Sequence, residues 1–341
     1  MSVSLIPGIY SSYEIRSSVA GGRRAGLIGL AASCTTDAAE PVEIRSYSAA
    51  VSAFGADSNM AKLIKILFLN GASTVLAAPS DGFNYASAFN ALMSDSRVQY
   101  MLCDSRDQTL HASMKNRVMS ADEAAKYRIC VVEEDGTAAT LVSRAAALNC
   151  ERVVLCGNRE PVGNSTPGAV AAALAAVMAS GADPAIPLNG ASLKGLRGLA
   201  MSFTEAETEQ LIAGGVTPIE SDAGEYCVVR GVTTRTTTDG EPDTSWREVN
   251  TVLIIDDVIP TIRSSLKKNF ARSKNNARGR GAIRTQVVIE LEDKLRKEII
   301  ESYGDVRVEA DAEDPTLCIV SFGFTVAHGL SSISLEACIT V

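Results

Sequence analysis

The amino-acid sequence predicts an α/β fold, α+β overall, and three observations carry that reading. From Ser58 to Cys156, short apolar runs alternate with amphipathic stretches of about ten residues, the pattern of βαβ units on a mostly parallel sheet. Near the end two longer helical patterns follow one another. Ile259, Ile262 and Leu266 mark the first, and Ile283, Val287, Leu291, Leu295 and Ile299 recur at helical spacing on the second. At both ends the period drops to that of an extended strand. Tyr13, Ile15 and Val19 alternate with polar residues, and Ile333, Leu335, Ala337, Ile339 and Val341 face away from Ser334, Glu336, Cys338 and Thr340.

Taken in order, Pro7-Gly8 breaks the first arm and Gly21-Gly22 is its hinge. Arg24–Ala32 reads as a buried strand. Ser58-Asn59 opens a helix with Met60, Leu63, Ile64, Leu67 and Phe68 on one face, stopped by Asn70-Gly71. Strand Ser73–Ala78, helix Asn84–Met93, strand Val98–Cys103 and a helix around Leu110, Met114 and Val118 follow. Ser120-Ala-Asp-Glu123 fits a capping box for a separate short helix. Strand Tyr127–Glu133, helix Ala138–Leu148 and strand Arg152–Cys156 come next. Thr166-Pro167 caps an Ala-rich helix closed by Gly181; being apolar all round, it is buried. Thr204-Glu-Ala-Glu207 is a second capping box, stopped by Gly214-Gly215. Strand Tyr226–Thr233 and the segment Trp246–Leu253, read as a β-pair, flank a turn-rich loop at Thr236–Asp243. Asp256-Asp257 then caps the next helix, with Pro260 in its first turn. The domain reading is an arm at 1–22, an α/β domain at 23–214, a second domain with a mixed sheet and two helices at 215–328, and a terminal strand at 329–341.

A chain of 341 residues can bury the cores of two domains. Hydrophobic residues at 46% and charged residues at 21% exclude wholesale disorder. The net charge of −8 argues against nucleic acid as the main partner. The charge is uneven, however. Arg263, Lys267, Lys268, Arg272, Lys274, Arg278, Arg280 and Arg284 put +8 into what reads as a connector between two helices, leaving −16 elsewhere. With no Asp or Glu from Val258 to Ile289, this run is either a solvated loop or a surface for an acidic partner. Nucleic acid is the weaker alternative, since only Phe270 is there to stack. Met1-Ser-Val-Ser-Leu-Ile-Pro7 lacks the features of a signal peptide, and Ala169–Ala179 is too short for a bilayer, which takes ~20 residues. The expectation is synthesis in the cytoplasm without membrane insertion.

Candidate chemistry is sparse. The eight cysteines (Cys34, Cys103, Cys130, Cys150, Cys156, Cys227, Cys318, Cys338) form no CxxC pair and only two histidines exist, which argues against zinc; most read as buried thiols. Gly190-Ala-Ser-Leu-Lys-Gly195 has P-loop glycine spacing, but Leu196-Arg197 stands where Lys-Ser/Thr is required. Gly21-Gly22-Arg-Arg-Ala-Gly26 precedes a strand instead of following one, against a dinucleotide fingerprint. Cys103 and His111 could be imagined as nucleophile and base, but a buried thiol beside a surface histidine is the simpler reading. Asp256-Asp257 and Glu133-Glu134-Asp135 could hold a metal; a helix cap and a solvated turn are preferred. No catalytic, cofactor or metal residue is predicted.

Several short motifs remain: Pro7-Gly8-Ile9-Tyr10, Arg24-Ala-Gly-Leu-Ile-Gly-Leu-Ala31, Pro41-Val-Glu-Ile-Arg-Ser46, Phe54-Gly55, Phe68-Leu-Asn-Gly-Ala72, Gly215-Val216 and Val229-Arg-Gly-Val-Thr-Thr234. Their order and spacing, over nearly the whole chain, resemble the contractile tail sheath proteins of myophage tails and phage-tail-like bacteriocins. Leu69 and Ala72 depart from that family's pattern. The chain is short for the family, which implies few outer decorations, and one chain carries both termini, which favours a phage or bacteriocin sheath over a type VI secretion sheath.

The resemblance implies a structural protein, not an enzyme, with no cofactor. Subunits would stack as hexameric rings around a tail tube, with an outer α/β domain, an inner domain that grips the tube, and terminal arms that add strands to neighbouring sheets. Contraction would drive the tube through a cell envelope. Implied partners are further copies of the chain, the tube protein, and baseplate and tail terminator proteins, with no direct contact to nucleic acid, and the place of work is a virion tail or phage-tail-like particle. The basic residues from Arg263 to Arg284 would face the tube; Tyr13, Ile15, Val19, Ile333, Leu335, Ile339 and Val341 would join subunits. The rival readings are an α/β enzyme binding a nucleotide or phosphorylated metabolite, and a type VI-like sheath component.

Overall fold

The computed structural model describes residues 26–36, 38, 40–81, 84–123, 126–159, 166–196, 202–222, 224–327 and 329. Both alternating arms, with Tyr13, Ile15, Val19, Ile333, Leu335, Ile339 and Val341, lie outside the described residues. In chain order come β1 (Leu27–Ser33), β2 (Val42–Ile44), α1 (Tyr47–Phe54), α2 (Asn59–Leu69), β3 (Val75–Ser80), α3 (Ala86–Ser94), β4 (Val98–Cys103) and α4 (Gln108–Glu123). Then follow β5 (Ile129–Asp135), α5 (Ala138–Leu148), β6 (Val153–Asn158), α6 (Ala169–Ser180), β7 (Ser192–Leu193), α7 (Glu205–Ala213), β8 (Val216–Asp222) and β9 (Glu225–Val228). The last are β10 (Thr237–Thr238), β11 (Glu241–Pro242), α8 (Val249–Phe270), α9 (Ala277–Arg296), β12 (Ser302–Tyr303), β13 (Arg307–Ala310), β14 (Cys318–Ser321) and β15 (Phe324–Thr325).

The main sheet runs β2-β3-β1-β4-β5-β6-β8-β9-β7. Its interior strands β3, β1, β4, β5, β6 and β8 are parallel, as the βαβ pattern predicts; antiparallel β2 forms one edge, and antiparallel β9 followed by β7 completes the other. Because helices cover both faces, the central strands are continuous apolar runs. On one face Ile28, Leu30, Val131 and Val154 pack with α1, α2, α6 and the start of α8. On the other, Ala31, Val132 and Val153 pack with α3, α4, α5 and α7.

Local chemistry sets the element ends. Ser58 Oγ accepts from Ala61 N (3.0 Å) and starts α2, and Thr204 with Glu207 makes the predicted reciprocal box on α7. The expected Thr166-Pro167 cap of the Ala-rich helix is instead Gly168, at φ 86°. A Cβ there would sit 2.5 Å from the Cys103 carbonyl oxygen, so both conformation and space require glycine. The alanines of α6 let it lie close between α2 and the sheet, buried on every side as its composition predicts.

Several expectations change. The separate helix at Ser120–Glu123 is the last turn of α4; Ser120 Oγ donates back to the Asn116 carbonyl (3.0 Å), so it caps nothing. Trp246–Leu253 is no strand: from Val249 it is helical, and an isolated Val232–Glu248 bridge is what remains of the β-pair. The helix expected to start at Asp256-Asp257 therefore begins seven residues earlier, at Val249, and Pro260 lies inside it. Residue 214 does not end the sheet, since β8 pairs with β6 and both lie in one core with Val249, Val252 and Leu253. Ile299 is buried but follows the end of α9 at Arg296. After α9, residues 302–325 form antiparallel pairings β12–β15 and β13–β14, joined by Gly304 N donating to the Gly323 carbonyl (2.8 Å).

Candidate functional site

The basic run predicted as a connector is the tip of a helical hairpin. Arg263, Lys267 and Lys268 lie on α8, Arg278, Arg280 and Arg284 on α9, and Arg272 and Lys274 in the tight turn between them. The helices hold together because Ile254, Val258, Ile262 and Leu266 of α8 meet Val287 and Leu291 of α9 in a separate core, closed by Ile299, Ile300, Val306 and Val326. The turn is tied down: Asn275 Nδ2 donates to the carbonyls of Pro315 (2.9 Å) and Leu317 (3.0 Å), and Asn276 Oδ1 accepts from Gly279 N (2.8 Å) to start α9.

The eight cations divide into two sets. Arg284 Nε donates to the Val306 carbonyl (2.7 Å) and its guanidinium meets Asp305 (3.3 Å), while Arg280 donates to Asn275 Oδ1 (3.0 Å). Arg263 is half-buried. Lys267, Lys268, Arg272, Lys274 and Arg278 are exposed, and among the described residues no carboxylate pairs with any of them. Like charges held this close repel one another unless salt or an acidic surface compensates, with screening over ~8–10 Å.

At its base the hairpin is anchored by the acids the sequence reading assigns to a helix cap. Asp256 and Asp257 are buried mid-helix. Asp256 Oδ1 accepts from Arg152 Nη1 (2.5 Å), whose fully buried guanidinium also lies 5.2 Å from the Tyr127 ring centre. Asp257 is paired with the buried Lys294 of α9. Thus adjacent residues clamp α8 to the sheet on one side and to α9 on the other. Pro260 removes the bond that would reach the Asp256 carbonyl, and Thr261 Oγ1 donates to the Asp257 carbonyl (2.6 Å). The signal for this anchor is present in the sequence: two acids inside Val252–Ile259, a run otherwise wholly apolar, are buried and must find cations.

Glu133-Glu134-Asp135, expected as a solvated turn, is also mostly buried, since β5 carries it to the carboxyl end of the sheet. Glu133 accepts from Val170 N (2.7 Å) at the start of α6 and from Arg106 (2.5 Å), and Glu134 meets Arg144 (2.9 Å). His111, expected on the surface, is buried too, with Nδ1 3.2 Å from Glu134 and Nε2 2.9 Å from the Ser105 carbonyl. Burial alone lowers its pKa, but the bonds to Cys103, Glu134 and Ser105 outweigh that and hold it up at about 10. Nearby, Asp104 accepts from Ser33 N, Asn59 Nδ2 and Tyr85 OH; burial and this carboxylate raise the Tyr85 pKa. These groups lock one another in place. The Gly190–Gly195 stretch is no phosphate cradle after a strand but a turn that holds β7. Among the described residues, no helix is long and apolar enough to cross a membrane.

The model of the phage tail sheath central domain matches residues 80–234, and that of the phage tail sheath C-terminal domain matches 241–340. The chain belongs to the phage tail sheath family. Sheath proteins of this family are structural components of contractile tails. The tail sheath protein of Bacillus phage SP01 is 29% identical over 179 residues, a stretch covering 49% of this chain and 30% of that relative. In fold, the chain resembles the sheath tail protein of Desulfitobacterium hafniense (TM-score 0.70, 12% identity, 94% of this chain and 100% of the other). It also resembles the helical sheath of the anti-feeding prophage in its contracted state (TM-score 0.72, 15% identity, 98% and 99% covered).

Proposed function

We propose that this sheath-family chain polymerises as six-membered rings around a tail tube and that the rings contract to drive the tube through a cell envelope. The observation that carries the reading is the hairpin tip, where Lys267, Lys268, Arg272, Lys274 and Arg278 stand exposed without acidic partners among the described residues, on a chain of net charge −8. An acidic tube exterior supplies the missing counter-charge, so α8, α9 and the short strands after them form the inner, tube-facing part. The large sheet and its helices form the outer part. The segments around Tyr13, Ile15 and Val19 and around Ile333, Leu335, Ile339 and Val341 add strands to neighbouring subunits, so that connections persist as subunits move. Baseplate and tail terminator proteins close the two ends. No nucleotide or catalytic step enters; the work comes from surface newly buried between subunits. The contracted state in which the anti-feeding prophage sheath was solved supports this view of the working step.

The experiment is charge reversal. Replacing Lys267, Lys268, Arg272 and Lys274 together by Glu leaves a folded protein, because all four are exposed, and abolishes assembly around purified tubes. Tube-filled sheaths formed normally by this variant would assign the contact to another surface.

A further inference from the structure

An apolar cleft of about 220 Å³ lies between the carboxyl end of α6 and the connector that follows it. Val177, Met178, Pro187, Leu188 and Leu253 line it, with Ile186 at the rim. This is the seam of the two cores: Leu188 and Leu253 belong to the sheet's core, whereas Ala185 packs on the helical hairpin's. Ile186 is 65% exposed, more than any other large hydrophobic among the described residues. Its exposure is built in, because Asn250 Nδ2 donates to its carbonyl (2.7 Å) and fixes the backbone. The one ionisable lining residue, Asp183, accepts from Ala185 N (2.9 Å) within the connector's own turn. The cleft exceeds the ~150 Å³ cavity that holds one benzene, so it has room for an aliphatic side chain. Its chemistry selects an apolar peptide.

Two segments of the chain reach this place. Gly26 N donates to the Ala179 carbonyl (3.1 Å), so residues 1–25 depart from the end of α6. The residues just before Gly26 are Gly21-Gly22-Arg23-Arg24-Ala25, too polar for the cleft. At the other side Gly329 lies against Pro187, itself a lining residue, so closely that a Cβ would come within 2.7 Å of the proline ring. The next residue is Leu330, one Cα step of about 3.8 Å away, and it opens Leu330-Ser-Ser-Ile-Ser-Leu335. We infer that the cleft receives the chain's own Leu330, so that the residues from Ile333 onward leave the subunit from a fixed point. This seating belongs to the unassembled chain and requires neither ring nor tube.

The test uses the full chain with p-benzoylphenylalanine in place of the exposed Ile186, as a dilute equal mixture of unlabelled and ¹⁵N-labelled protein, irradiated and analysed by mass spectrometry. The expected product links position 186 to residues 330–335 of the same chain, without mixed-isotope pairs. Mixed pairs would mean that a second copy fills the cleft and would overturn the inference, as would links confined to residues 1–25 or no link to 330–335. In the same background Leu330→Asp lowers the yield about tenfold by removing one buried aliphatic group, with unchanged circular dichroism; an unchanged yield would also overturn it.

Discussion

Removing the carboxylate of Asp256 tests the anchor of the helical hairpin directly. Arg152 is fully buried, and its acidic partner is Asp256 at 2.5 Å. Taking away one member of a buried pair costs ~3–5 kcal/mol. The retained Tyr127 ring, with a cation–π contact of up to ~2 kcal/mol, places Asp256→Ala at the lower end, about 3 kcal/mol. For a chain of this size, with a urea slope near ~3 kcal/mol per molar, the midpoint falls by about 1 M. Equilibrium urea unfolding followed by circular dichroism measures it. Replacing both partners, as Arg152→Met with Asp256→Leu, removes the buried cation as well and restores much of the loss. A midpoint shift below about 0.3 M for the single variant, or a double variant as unstable as the single one, would refute the reasoning.

Other outcomes follow from particular groups. Deleting residues 1–18, or those after Gly329, is expected to leave a folded protein with near-native helix content that forms no tubes; normal tubes from either truncation would disprove the role given to the arms. His111 has a folded pKa near 10, above its unfolded value of ~6.5. Its contribution to stability is therefore full below that unfolded value and is lost as pH rises toward 10. The urea stability of wild type minus that of His111→Gln should shrink over this interval, and a pH-independent difference contradicts the assignment. Thr204→Ala removes the cap of α7 and should cost ~1 kcal/mol, read from the same urea curves, without affecting the anchor at Asp256.

Where hydrophobic period and capping chemistry agree, the sequence is a reliable guide. Strand β4 and helix α5 fall where their patterns place them, and the Thr204–Glu207 box forms as written. Three departures at candidate sites share one cause: polar residues that look solvated in the sequence are buried in the fold. Asp256-Asp257 resembles a cap, Glu133-Glu134 a turn and His111 a surface residue, because their partners come from positions distant in the chain. Arg152 meets Asp256 across 104 residues, a pairing no local pattern encodes. Helix α1 and strands β2 and β8 leave little local signal, being short or preceded by stronger stop signals such as Gly214-Gly215. The basic tip is legible as a cluster of charge, but not as a hairpin, since the helical character of Arg263 to Phe270 and Ala277 to Arg284 rests on Leu266 and Val287 meeting in a core of their own.

Helix α8 has a mechanical consequence. At 22 residues it is about 33 Å long, with its first turns set in the sheet's core and its far end bearing Lys267 and Lys268. A load applied at those cations travels along the axis of a strut instead of bending a loop. It reaches the sheet at Asp256 and α9 at Asp257, where neighbouring side chains share it between two bodies. Such a joint resists shear because sliding either body must separate a buried cation from its carboxylate before any apolar surface is exposed. If the chain assembles as proposed, a subunit pulled at its tip would turn as one piece, and the compliance needed for movement would have to reside in the links between subunits.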